Sequence, residues 1–260
     1  MEPTVLQIIL IAVWTGIAGV DLFDGLLHIH RPLFSGMVIG LILGDLPTGL
    51  ITGATLELIL LGAMPVGGAQ PPNVVIGGVS GVVLAITSRL EPQAAVGIAI
   101  PFAVFMQSLI TLYFTSFVPV MHKVDSEIEA GNGESAIISA NYFGMFTLFV
   151  LYAFVATILT VGGTKTADLV TKLPKWITHG LSVGGGILTA VGLAILLKIM
   201  FSTRYAIYLA LGFILVTFFN AQILPVAGIA IIIAFIEFYL AQEIGNQKNT
   251  NQTPGDNDGI

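Results

Sequence analysis

Many of this chain's apolar runs stop too soon to cross a membrane. Hydrophobic blocks recur almost end to end, at about 5–20, 33–44, 50–66, 74–87, 94–120, 142–162, 181–200, 205–219 and 221–240. A helix needs ~20 apolar residues to cross the hydrocarbon core, so roughly half of these blocks are too short for a straight crossing. As a helix, block 33–44 covers only about 18 Å. Such pieces are tolerated only where protein or a water-filled cavity surrounds their ends. The pattern therefore predicts an all-α polytopic membrane protein, in which transmembrane helices accompany short re-entrant or broken hairpins. Composition agrees. Of 260 residues, 55% are hydrophobic and 9% charged, whereas soluble domains carry about 25% charged residues. Mean hydropathy is +0.95.

Other classes fall away on composition. Cysteine is absent, which excludes disulfides, thiolate metal sites and cysteine nucleophiles. The formal charge of −6 comes largely from one hydrophilic loop and the C-terminal tail, so nothing favours nucleic acid as a partner. No basic flank precedes the first apolar block and no small-residue cleavage site follows it, so no cleavable signal is expected.

Residues 1–244 read as one membrane transport domain and 245–260 as a disordered hydrophilic tail, rich in Asn, Gln, Gly and Asp. Within the domain, about 121–141 reads as a soluble loop carrying Asp125, Glu127, Glu129 and Glu134. About 164–179 reads as an interfacial amphipathic segment, anchored by Lys165, Lys172, Lys175 and Trp176. The lysines leave orientation open, because Lys198 and Arg204 lie one span further on. An internal repeat is suggested by residues 30–45 and 179–196, each a His followed by a small-residue-rich apolar run, and by MPVGGA at 64–69 beside LPVAGIA at 224–230. Repeats with interrupted segments in matching places point to a transporter with its site between the halves.

Few residues here carry chemistry. Glu57 lies deep in GATLELILLGAMPVGG, where an unpaired carboxylate costs about 2.5–3.5 kcal/mol and so faces a cavity or a partner. It reads either as a ligand group or as a structural carboxylate held by Thr52, Thr55 or backbone donors. Asp21, Asp24 and Asp45 end apolar blocks and read as interface caps. GGAQPPNVVIGG, residues 67–78, breaks the apolar run with Pro71 and Pro72 between Gln70 and Asn73. The prolines lack N–H groups and favour an extended path, and the two amides can each bridge two hydroxyls of a polyol. Spacing alone leaves two readings open, a solvent-facing turn and the floor of a site. The predicted substrate-binding set is Glu57, Gln70 and Asn73, with Thr55 beside them, and its ligand class is a neutral sugar. No cofactor, metal or catalytic residue is expected. His28 and His30, at i and i+2, do not share a helix face, and no phosphate-binding loop is present.

Together, HRPLFSGMVIGLILGDLPTGLITGATLELILLG at 30–62 and GGAQPPN at 67–73 resemble the IIC membrane subunits of the mannose–fructose–sorbose family of sugar phosphotransferase systems. Within that family, VGGAQPPN at 66–73, LPKWITHGLSVGGGILTAVGLAILLKIMF at 173–201, LPVAGIA at 224–230 and DGI at 258–260 are most similar to the N-acetylgalactosamine/galactosamine type. Mannose-type members tend to have an acidic residue where this chain has Asn73.

The resemblance implies a permease in the bacterial inner membrane that binds and translocates an amino sugar or hexose and is not an enzyme by itself. It implies a IID membrane partner, trimers of IIC–IID pairs, elevator-type transport, and soluble IIA and IIB subunits that carry the phosphoryl group. Phosphorylation adds about −1.5 to −2 charges to the sugar, which a pocket holding the Glu57 carboxylate is expected to expel. Two other readings stand beside this one. An ion-coupled secondary sugar transporter would use Glu57 or Asp21 as proton carrier. An intramembrane protease would use Ser80 and His179, since Gly78–Gly81 resembles the GxSG motif of rhomboid proteases.

Overall fold

The computed structural model describes residues 2–61, 71–171 and 175–250. Among them every regular element is helical: α1 Val5–Val20, α2 Pro32–Leu43, α3 Leu46–Leu60, α4 Val74–Ser88, α5 Pro92–Ser116, α6 Val118–Glu129, α7 Gly133–Thr171, α8 Lys175–Met200, α9 Ala206–Phe219 and α10 Ile223–Thr250. Among the described residues, four stretches are long and apolar enough to cross a membrane: Val5–Gly25, Pro92–Glu129, Gly133–Gly162 and Ile223–Leu240. The apolar helices α2, α3, α4 and α9 are short, as the block lengths predict.

The chain divides into two units, Met1–Ile199 and Met200–Ile260. In the first, α4 is the axis. It is apolar on every side and buried from Val75 to Thr87, the mark of a helix enclosed by other helices. Val75, Ile76, Val79, Val82, Val83 and Ile86 of α4 pack in one core with Ile11 of α1, Ile39 of α2, Met106 and Ile110 of α5, and Tyr152 of α7. A second cluster joins Leu56, Ile59 and Leu60 of α3 to Val96 of α5, with Leu188 of α8 against it. On the outer side of α7, Phe146, Val150, Phe154 and Ile158 recur at helical spacing and are exposed. A stripe of that kind suits lipid or a partner helix.

α2 and α3 form the short hairpin. Gly44, at φ +81°, closes α2 in the left-handed conformation that glycine adopts without a Cβ penalty. The Asp45 side chain then caps α3 by accepting from the Thr48 N–H at 3.2 Å. The two helices touch backbone to backbone: a Cβ at Gly49 would collide with the Gly36 carbonyl oxygen, and one at Gly53 with that of Pro32. The GxxxG-like spacing of Gly36, Gly40, Gly49 and Gly53 thus serves close helix packing.

The second unit is a 3₁₀ turn, Thr203–Tyr205, followed by α9 and α10. The Tyr208 hydroxyl donates to Glu237 Oε1 at 2.7 Å. Within this unit the apolar span Ile223–Leu240 is left unburied, a surface suited to lipid or protein.

Three expectations change shape. The stretch about 121–141 is not an irregular loop. It is helical on both sides of a break at 130–132, where Gly131 sits at φ +88°. α6 has no buried residue, and the Lys, Glu and Ser residues of the stretch tolerate helix and are interrupted by no proline. α10 runs on to Thr250, so 245–250 continue a helix where an unstructured tail is expected. Propagating an existing helix needs no new nucleus. Residues 251–260 lie outside the described residues. Finally, the two segments likened as repeats differ locally: 30–45 ends α2 at Gly44, whereas 179–196 lies inside the continuous α8. Of the interfacial stretch 164–179, Trp176 is exposed and 172–174 lie outside the described residues.

The glycine seam gives a direct test. Gly49→Ala forces α2 and α3 apart, an overpacking cost of about 1–3 kcal/mol. The expected result is a lower unfolding temperature in detergent, with Gly162→Ala, where a Cβ meets open space, as the neutral control.

Candidate functional site

Glu57 projects from the last turn of α3, one turn beyond Gly53, which lies against Pro32 at the start of α2. This brings it to Arg31, the N-cap residue of α2. Arg31 Nη2 meets Glu57 Oε1 at 2.5 Å, with the arginine side chain 40% exposed and the glutamate 17%. The second oxygen, Oε2, is buried and has no hydrogen-bond partner among the described residues. A buried acceptor left unmet costs on the order of 1–3 kcal/mol, more when charged. It is therefore a place where an arriving hydroxyl or amide donor gains most.

Arg31 is delivered by an unusual turn. α1 ends in a single π-helical turn, Asp21–Gly25, a feature frequent at functional sites. Leu26 and His28 follow at φ +48° and +63°, a region costly for residues with a Cβ. The Asp21 carboxylate holds this turn. Oδ1 accepts from the Leu27 N–H at 2.6 Å, and Oδ2 accepts from the His30 N–H at 3.1 Å and meets His30 Nδ1 at 2.7 Å. Both residues are buried. Sequence reasoning treated Asp21 as an interface cap and did not single out Arg31. Nothing in a spacing of nine residues announces the Asp21–His30 pair, because the irregular turn alone brings them together.

Asn73 does a different job. It is 2% exposed and caps α4. Its Oδ1 accepts from the Ile76 N–H at 3.0 Å, its Nδ2 donates to the Tyr152 hydroxyl at 2.6 Å, and its own N–H donates to Ala103 O at 3.0 Å. The side chain thus ties the start of α4 to α7, and the backbone ties it to α5. Tyr152 is a further residue the sequence reading missed.

The other predicted residues separate. Thr55 is two positions from Glu57 on α3, so it points elsewhere on the helix, and its hydroxyl donates to Ile51 O at 2.8 Å. Gln70 lies outside the described residues. Ser80 is buried and its hydroxyl donates to Ile76 O within its own helix at 2.6 Å, as a structural serine does. His30 Nδ1 is engaged by Asp21, and the His28 ring packs beside it with centroids 5.6 Å apart. The Arg31–Glu57 pair also changes the expected electrostatics. With the guanidinium on it, the carboxylate is neutralised, so Glu57 is not the bare negative charge that the sequence suggests.

A cleft of about 630 Å³ between α9 and α10 is lined by Leu211, Leu215, Ile229 and Ile233, with Tyr208 and Glu237 at its polar part. Its few polar groups are paired with each other, which does not suit a ligand rich in hydroxyls.

Comparison with known proteins bears on what the Arg31–Glu57 region serves. Residues 5–236 match the family profile described as the PTS system sorbose-specific IIC component. The chain is 35% identical over 245 residues to N-acetylgalactosamine permease IIC component 1 of Escherichia coli (strain K12), covering 93% of this chain and 91% of that protein. It is 33% identical over 258 residues to the PTS system sorbose-specific EIIC component of Lacticaseibacillus casei, covering 98% and 92%. It is 30% identical over 261 residues to the mannose-specific EIIC component of Escherichia coli (strain K12), covering 99% and 98%. A solved structure described as that of a membrane protein superposes with a TM-score of 0.83 at 28% identity, covering 94% of this chain and 99% of that one. A chain of the mannose transporter ManYZ in complex with microcin E492 superposes with a TM-score of 0.59 at 30% identity, covering 92% and 97%.

The Asn73 hub makes its own prediction. Tyr152→Phe leaves the buried Asn73 amide one partner short and is expected to destabilise the protein by about 1–3 kcal/mol. Asn73→Ala frees the Ile76 N–H and the Tyr152 hydroxyl at once and is expected to cost more. Asn73→Asp keeps the cap and can accept from the tyrosine, so it is expected to stay near wild type. Thermal unfolding in detergent reads all three.

Proposed function

Because the chain belongs to the mannose/sorbose family of IIC components, the sugar-translocating permease subunits of bacterial phosphotransferase systems, we propose that it binds N-acetylgalactosamine or galactosamine and passes it to IIB for phosphorylation on the cytoplasmic side. The observation that carries the binding role is Glu57: one oxygen is neutralised by Arg31 and the other is buried without a partner among the described residues. An acceptor in that state takes a sugar hydroxyl or an acetamido N–H, and rejects ligands that leave it unpaired. Gln70 supplies a second polar group to the site, and Thr55, on another face of α3, is a lesser contact whose hydroxyl must first leave Ile51 O. Asn73 contributes through the cap that fixes where the extended segment 71–73 re-enters helix.

The amino-sugar assignment is supported by the 35% identity to an N-acetylgalactosamine permease component over 93% of this chain, against 30% to the mannose-specific relative. Similarity to a ManYZ chain supports a IID partner covering apolar faces such as that of α10, in trimers of IIC–IID pairs that move sugar by an elevator-type motion. Residues 1–244 act as the transport domain in the inner membrane, with IIA and IIB at its cytoplasmic face.

Reconstituted vesicles containing IID, with IIA, IIB and phosphoenolpyruvate supplied, test the reading. Accumulation of N-acetylgalactosamine phosphate, strictly dependent on phosphoenolpyruvate, is the expected outcome. Uptake of unmodified sugar driven by a pH gradient would refute it. Equal binding across amino sugars and neutral hexoses would remove the substrate assignment. Glu57→Gln gives up the charge in a hydrogen bond worth about 1.5–3 kcal/mol, so sugar affinity is expected to fall roughly tenfold or more with assembly retained.

A further inference from the structure

The turn between α1 and α2 is built at a cost that packing alone does not explain. Two residues with Cβ atoms, Leu26 and His28, sit in the left-handed region. Such a conformation is strained for a residue with a Cβ and persists only where its surroundings over-determine it. Here the over-determining group is a single carboxylate. Asp21 receives the Leu27 N–H, the His30 N–H and the His30 ring nitrogen, while its own carbonyl accepts from the Leu26 N–H at 2.9 Å. Beyond this clamp the Arg31 N–H donates to His28 O at 3.3 Å, and Pro32 opens α2. Arg31 therefore has its backbone set from both sides: by the clamped turn before it and by a proline that restricts its conformation after it. Its side chain, 40% exposed and with four rotatable bonds, reaches Glu57 because the backbone beneath it is fixed.

We infer that Asp21 is a positioning residue for the sugar site, acting through His30 and the turn 26–31 to hold Arg31 on Glu57 Oε1, so that Oε2 alone remains as acceptor. The inference rests on the reading of Glu57 as a sugar ligand. It gives Asp21 a role beyond that of an interface cap, which would bond only backbone N–H groups of its own helix end, whereas Asp21 also engages the His30 ring nitrogen. It also explains why a single exposed arginine suffices. A guanidinium placed by a rigid turn takes one carboxylate oxygen in a defined direction, whereas a mobile one would bridge both and close the acceptor that the sugar needs.

A double-mutant cycle separates positioning from plain structural support. Sugar affinity is measured in nanodiscs for wild type, Asp21→Asn, Arg31→Gln and the double variant, with Glu57→Gln alongside and thermal unfolding recorded for each. The expected result is a loss of roughly tenfold for Asp21→Asn and for Arg31→Gln, and a double variant no worse than Arg31→Gln alone. Losses that multiply, or a lower unfolding temperature for Asp21→Asn with wild-type affinity in the folded fraction, would overturn the positioning role. Wild-type affinity in Glu57→Gln would overturn the site reading and the positioning role with it. Loss in Glu57→Gln beside wild-type affinity in Asp21→Asn would overturn the positioning role alone. Should Asp21→Asn not fold, His30→Phe removes only the ring-nitrogen bond and runs the same cycle. A loss absorbed by Arg31→Gln supports positioning, and a multiplicative loss refutes it.

Discussion

A helix that begins inside a protein must satisfy its first N–H groups without water, and in this chain that requirement falls on Asn73. α4 is enclosed on every side by other helices, so its open end cannot be left to solvent. The Asn73 side chain accepts from one of those N–H groups and donates to Tyr152, while its backbone donates to α5. Three helices are thereby registered against one residue. The apolar core around α4 then follows, because Val75, Val79, Val82 and Ile86 can face α1, α2, α5 and α7 only once the start of α4 is placed.

The same logic operates at the other polar centre. Asp21, His30, Arg31 and Glu57 form a chain of contacts that starts at the end of α1 and finishes on α3. Its members are charged or polar groups in an apolar setting, which is tolerated when each is paired. One atom, Glu57 Oε2, breaks the rule. Among the described residues every other buried carboxylate oxygen in this chain of contacts has a donor, so Glu57 Oε2 stands out as an open acceptor. Pairing with Arg31 also leaves less negative field around the Glu57 carboxylate than a bare one would have.

The outer surfaces divide by chemistry. The exposed apolar stripe on α7 and the unburied span of α10 suit lipid or protein, whereas α6 ends in Lys123, Asp125, Glu127 and Glu129 and buries none of its residues. In the α9–α10 unit Tyr208 donates to Glu237 across the two helices, and much of the remaining surface is branched aliphatic and aromatic. Such a unit is suited to being completed by neighbours.

The sequence by itself determined the class, the interrupted helices and the family. Each is encoded locally: run length against membrane thickness, glycine and proline punctuation, and the string from His30 to Asn73. It also marked Glu57, since a carboxylate in an apolar run is conspicuous wherever the run folds. It mistook the hydrophilic stretch about 121–141 for a loop, because polarity reports solvation and says little about helix. What only the tertiary structure decided is which polar groups meet. Asn73 turned inward to Tyr152, 79 residues away, and Asp21 reached His30 through a turn that no periodicity describes. Arg31 came to Glu57 because glycines let α2 and α3 touch. Partners so far apart in the chain are chosen by packing, which the spacing of residues along a strand of sequence does not record.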